Sequence, residues 1–264
     1  MRGVCVVLVA CAGCDNLLGL DTTKLGGDAG IPCDGASCEA SFASCRALKG
    51  AFPEAPSGVY TLDAGTGVFQ AYCEEDTDGG GWTLALKVDG RQATFAYDAA
   101  LWENTDLLAT DAPDLDRKEA KLETWNAIGF TELRIVFEFP VASGGVNVLI
   151  VPLGAGKLSD LFAAGQARTT TLGRDAWKSL LGSTASLQPN CNQEGTNQVL
   201  TGSRVRLGIL GNNEVDCLSP DSRIGIGGAG TVCGTPTESA GNSACFSADN
   251  GDAELPAFAW VFVR

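Results

Sequence analysis

The 264-residue chain contains no histidine. That absence removes the Ser–His–Asp triad, the Cys–His pair and every zinc site with imidazole ligands. Cations are scarce as well: 18 Lys and Arg stand against 32 Asp and Glu, giving a formal charge of −14 and a pI near 4.3. Contact with phosphate backbones needs clustered basic residues, and their absence argues against a nucleic-acid partner. No apolar run approaches the roughly 18–20 residues that a membrane-spanning helix needs. Beyond residue 14 there is no C-x2-C knuckle of the kind that holds structural zinc.

What is present is a body that can fold around a sizeable core, with 45% apolar and 19% charged residues. It also has eleven cysteines. Cys5, Cys11 and Cys14 fall in the N-terminal apolar stretch. Cys33, Cys38, Cys45, Cys73, Cys191, Cys217, Cys233 and Cys245 remain. An even number in an exported chain predicts disulfides, and eight cysteines allow 105 pairings.

The opening "MRGVCVVLVACAGCDNLLGLD" places Arg2 before the short apolar run Val4–Ala10, then small residues and cysteine. It resembles a bacterial lipoprotein signal, in which the cysteine after a small residue is acylated. Cys11 and Cys14 compete for that role. Cys14 is favoured, because ten residues is short for a charged and an apolar region together. The division expected is a signal over 1–13, a Gly/Asp/Thr-rich tether over 14–37 and one domain over 38–264. The expected location is the cell envelope, touching the membrane through the lipid anchor only, or outside the cell if the anchor is absent.

Within the domain, "SFASCRALKGAF" reads as a capped helix stopped by Gly50, and "APSGVYTLD" and "GVFQAYC" as a hairpin. "GWTLALKV", "TELRIVFEF", "VNVLIVPL", "SRVRLGIL" and "AFAWVFVR" read as strands. "DRKEAKLETWNAIG", "LSDLFAAG" and "RDAWKSLLG" read as helices. From Gly211 to Leu255 the composition reads as loop. Strands mixed with short helices, without a βαβ repeat, give an α+β class.

Three glycines, Gly79–Gly81, separate an acidic turn from the Trp82 strand. A phosphate loop would need a lysine and a following helix, and an EF-hand would need an oxygen ligand where Lys87 stands. The glycines therefore make a turn. "SCRALKGAFPEAPSGVYTLD" and "FQAYCEEDTDGGGWTL" together closely resemble the start of the fibrinogen C-terminal-like domain, including its bacterial Tyr-Cys…Gly-Gly-Gly-Trp members. The likeness covers about residues 38–88. The later half, with "YDAALWEN" and its cysteine loop, is more similar to the intelectin branch of that superfamily. The resemblance implies a mainly antiparallel sheet, short helices and a long disulfide-stabilised C-terminal loop region. It implies a Cys45–Cys73 bond, and makes Cys233–Cys245 the small loop beside a calcium site.

"GIGGAG", Gly225–Gly230, satisfies the dinucleotide pattern but is followed by Thr-Val-Cys-Gly-Thr-Pro, which cannot open a helix. Two oxygen-rich segments suit a hard cation better. One holds Asn212, Asn213, Glu214, Asp216 and Asp221; the other holds Asp249, Asn250, Asp252 and Glu254 around Gly251. Ca2+ is the cofactor the resemblance implies, with Phe246 a candidate wall of the ligand pocket. Trp102, Trp125, Trp177 and Trp260 lie on patterns where core burial is the default. The function expected is a non-catalytic recognition module binding glycan or another small polar ligand through calcium-supported loops. A structural or adhesive lipoprotein binding protein partners is the alternative. Carboxylates are plentiful, but nothing fixes an acid and a base at a defined separation.

Overall fold

A computed structural model describes residues 41–233 and 237–264. Cys14, Cys33 and Cys38, the signal and the whole of the tether lie outside the described residues. Helix α1 (Cys45–Ala51) starts where the Ser44 hydroxyl accepts the Ala47 N–H at 3.2 Å, and it buries Cys45 and Leu48. Strands β1 (Gly58–Asp63) and β2 (Val68–Glu74) pair as a hairpin. A disulfide joins Cys45 of α1 to Cys73 of β2.

The first sheet continues through β3 (Trp82–Asp89), with the two-residue β4 (Ala120–Lys121) beside it. Next come β5 (Phe130–Glu138), β6 (Val146–Ala155) and the last strand, named β13 (Phe258–Val263). Its order is β1-β2-β3-β13-β5-β6, antiparallel throughout. The terminal strand is thus central. Its residues alternate: Ala259, Val261 and Val263 enter the main core, while Phe258, Trp260 and Phe262 enter a smaller cluster on the opposite face. Opposite it, the pairing steps from Val261–Leu86 to Phe262–Leu84, so Ala85 is skipped. This bulge lets Leu84 join the smaller cluster and Leu86 the main one.

The sequence "DRKEAKLETWNAIG" is not one helix. Only α2 (Thr124–Ala127) is helical there. Tertiary contacts override helix propensity: Lys121 is buried and donates to the carbonyls of Leu101 (2.6 Å) and Asn104 (2.7 Å). Arg117 instead reaches Glu138 on β5 with two hydrogen bonds of 2.6 Å. Helices α3 (Leu158–Ala163) and α4 (Arg174–Ser179) fall where the pattern places them, with β7 (Arg168–Thr169) between.

The second sheet holds β8 (Asn190–Val199), β9 (Ser203–Asn212), β10 (Ser222–Gly230), β11 (Thr237–Ala244) and β12 (Ala253–Pro256). Its order is β12-β11-β10-β9-β8-β7, again antiparallel. Two long strands therefore occupy the segment whose composition reads as loop. The reason is a row of glycines across the sheet: Gly195 pairs with Gly208, Gly208 with Gly225, and Gly225 with Gly241. A Cβ at Gly208 or Gly225 would sit 2.2 Å from a neighbouring strand's carbonyl oxygen. The glycines allow a close approach that no other residue permits. "GIGGAG" is part of this packing. Trp102, Trp125 and Trp177 are core residues, with Trp125 stacked on Phe162 at 5.2 Å.

Candidate functional site

One end of the second sheet gathers the starts of β8, β10 and β12, the ends of β9 and β11, and two connections, 213–221 and 245–252. Two disulfides, Cys191–Cys217 and Cys233–Cys245, anchor this end. Its chain path is unusual: Cys191, Asn192, Phe246 and Ser247 all hold positive φ, at 65°, 53°, 48° and 63°. Non-glycine residues adopt that region at a cost, which the disulfide beside each pair holds in place.

Gln188, fully buried, organises the end from beneath. Its Nε2 donates to the Phe246 carbonyl at 3.0 Å, and lies 3.4 Å from Asn213 Oδ1 and 3.5 Å from Asp221 Oδ2. Its Oε1 accepts the Asp221 N–H at 3.3 Å, and its own N–H donates to Ser222 Oγ at 2.9 Å. Three oxygens from the two connections thus converge on one amide. Asn190 Nδ2 holds the Asn213 carbonyl at 2.9 Å. Beside it in sequence, Asn212 is buried, and its Nδ2 donates to the Asp216 carbonyl at 2.9 Å. Its Oδ1 has no partner among the described residues. Asp216 Oδ1 accepts the Leu218 N–H at 2.8 Å, closing an Asx turn.

The second segment is used differently. Asp249 Oδ2 pairs with Arg174 at 2.6 Å and with Lys178, and Oδ1 accepts the Leu187 N–H at 3.0 Å. Burial pushes this carboxyl up, but the hydrogen bonds from Lys178, Leu187 and Arg174 outweigh it and hold it at about 2. Arg174 also donates to the carbonyls of Leu187 and Gln188, so α4 is tied to the base of the site. Asn250 Nδ2 donates to the Ser183 carbonyl at 2.9 Å, and the Gly251 carbonyl accepts from Ser186 Oγ. Asp252 and Glu254 are exposed.

The structure therefore divides the nine oxygen-rich candidates. Asn213 and Phe246 meet over Gln188 with Asp221, and Asn212 and Asp216 form the neighbouring turn. Asp249 and Asn250 fasten the second loop to α4 and to the 183–187 segment. Among the described residues, the one trio of Cys, Asp and Glu ligand atoms within 4.8 Å is Cys45, Cys73 and Glu75. Its sulfurs are bonded to each other. Glu214, Asp216, Asp249, Asp252 and Glu254 thus supply no three-carboxylate cluster. The donors that converge are an amide oxygen, a carbonyl and one carboxylate, a set that suits a hard cation. Sequence reasoning missed Gln188, Arg174 and Lys178. Gln188 carries no charge and lies 58 residues from Phe246, so no spacing signal could have found it.

No family model matches the chain. A solved structure to which it is similar is the fibrinogen-like globe domain of human ANGPTL6, at 24% identity and a TM-score of 0.32. The match covers 47% of this chain and 54% of that one, so it spans about half of that domain's length.

Proposed function

We propose that the protein is a non-catalytic, exported recognition module. The loop end of its second sheet takes a glycan or another small polar ligand, with a calcium ion bound by Asn213, Asp221 and the Phe246 carbonyl. The observation that carries this reading is the convergence of those three oxygens on Gln188, beside an Asn212 Oδ1 that has no partner among the described residues. Calcium accepts mixed side-chain and carbonyl oxygens in a flexible shell. Two disulfides preorganise the loops, so little ordering entropy would oppose binding. Phe246, 56% exposed at the rim, offers an apolar wall. The other candidates, Glu214, Asp252 and Glu254, add negative potential that favours a cation.

The fibrinogen-like motif over residues 38–88, with Cys45 bonded to Cys73, supports placing the chain near that superfamily. The three disulfides among the described residues support an oxidising compartment, in the cell envelope or outside the cell. Cys14 is proposed as the lipid anchor. Replacing Cys14 by Ser should move the protein from the membrane to the soluble fraction, whereas an unmodified Cys14 by intact mass would contradict anchoring. A glycan array read with calcium and again with chelator tests the ligand reading. Calcium-dependent spots, lost in Asp221→Asn, support it. An array blank in both conditions favours the adhesive alternative, in which the partner is a protein.

A further inference from the structure

The face of the first sheet turned away from the main core carries the smaller apolar cluster. There a groove of about 260 Å³ is floored by Val136, Trp260 and Phe262 and rimmed by Glu74, Arg117 and Arg134. We propose that this groove binds a neutral saccharide ring, independently of calcium and of the loop end described above. Its volume approaches the roughly 300 Å³ at which small-molecule sites begin.

The chemistry of the groove narrows its ligand. Trp260 is only 7% exposed, and its indole N–H has no partner among the described residues. Buried indole N–H groups ordinarily find an acceptor, so this one marks a place for an acceptor atom. The ring is held in position by Phe258, 4.7 Å away between centroids. Across the groove, Glu74 Oε1 accepts from Ser57 Oγ and the N–H groups of Asp76 and Thr77. No hydrogen bond reaches its Oε2 among the described residues. The groove thus has an unused donor buried within its apolar floor and an unused acceptor at its rim.

The charges at the rim are spent on each other. Arg117 makes a two-point contact with Glu138 at 2.6 Å. Arg134 pairs with Asp78 at 2.8 Å and lies 5.3 Å over the Phe262 ring. Glu138 also takes the N–H groups of Ala142 and Gly144, which fix the hairpin leading to Val146. An anionic ligand would meet Glu74 without a free guanidinium to offset it. A sugar ring has what the groove lacks: hydroxyls that both accept and donate, and an apolar C–H face for the floor. Val146, 53% exposed, and Leu115, 38% exposed, flank the opening.

The test is ligand-observed NMR in chelator, using the methyl glycosides of glucose, galactose, mannose and N-acetylglucosamine as probes. At least one should show saturation transfer without calcium. Trp260→Phe, which keeps the ring but removes the N–H, should weaken that binding roughly tenfold. Val146→Arg, at an exposed position where folding is not at risk, should abolish it. Asp221→Asn should leave it unchanged, which separates this groove from the loop end. If none of the four binds in chelator, or if binding survives Val146→Arg, the assignment is overturned.

Discussion

Asp78, Gly79, Gly80 and Gly81 hold φ values of 51°, 83°, 67° and 76°, four consecutive left-handed residues. They bring the chain back so that the Gly81 N–H reaches Glu75 Oε2 at 2.9 Å. A Cβ on Gly80 would stand 2.5 Å from the Glu75 carbonyl oxygen, a backbone atom that cannot step aside. Gly80→Ala should therefore cost about 2 kcal/mol or more, combining left-handed strain with the clash, read as a lower denaturation midpoint. Glu75 itself is 2% exposed, and burial pushes its carboxyl up to about 7, against the opposing Gly81 hydrogen bond. Burial likewise raises Glu238 to about 7, against the Ser243 hydrogen bond. Both acids keep a proton when folded that they lose near pH 4.5 when unfolded. Their contribution is complete below about pH 4.5 and is lost as pH rises through about 7. Each unit is worth about 1.4 kcal/mol, so stability in urea should fall between those limits. Glu238→Gln should flatten that slope; an unchanged slope would place the titration elsewhere.

Elements were legible where one physical signal dominated. Ser44, the alternation in β1 and β2, and the apolar runs of β5, β6 and β9 each name their structure, because local pattern and tertiary burial agree there. The segment 116–129 misleads because Lys121 spends its side chain on buried carbonyls and Arg117 on Glu138, contacts invisible in a helical pattern. Strands β10 and β11 are hidden by Gly225, Gly227, Gly228, Gly230 and Gly241, a composition that normally weakens strands. Their reason lies across the sheet, in Gly208 and Gly195, where no local reading can look. Gly225→Ala should accordingly lower stability more than Gly50→Ala, whose added carbon meets nothing within 4 Å. The site was half legible. Asn213 and Asp221 stand out in an oxygen-rich segment and Phe246 between Cys245 and the acidic loop, whereas the engagement of Asp249 by Arg174 and Lys178 depends on α4 docking from 75 and 71 residues away. At this scale Cys45 and Cys73 matter most, since they close 28 residues between α1 and β2. Replacing both by Ala should cost about 3–4 kcal/mol on the loop-entropy account, measured as the shift in unfolding free energy.

Over the whole molecule 32 acidic residues stand against 18 basic ones, a formal charge of −14. The acidic loops that close the second sheet add to that repulsion, and a divalent ion bound only by the folded state would relieve it. Binding of this kind adds RT ln(1 + [L]/Kd), about 2.7 kcal/mol at a hundredfold excess over Kd. Magnesium should do much less, because it demands tighter octahedral geometry than a mixed amide, carbonyl and carboxylate set provides. Asp221→Asn should remove most of the gain in calcium, and Asp252→Asn little of it, since Asp221 faces Gln188 and Asp252 is exposed at the loop surface. The most direct measurement is the thermal unfolding midpoint of the wild-type protein in millimolar calcium against the same protein in chelator. A midpoint raised by calcium, and returned to its chelator value by Asp221→Asn, is the predicted result. Equal midpoints in the two conditions would contradict a calcium-supported loop end.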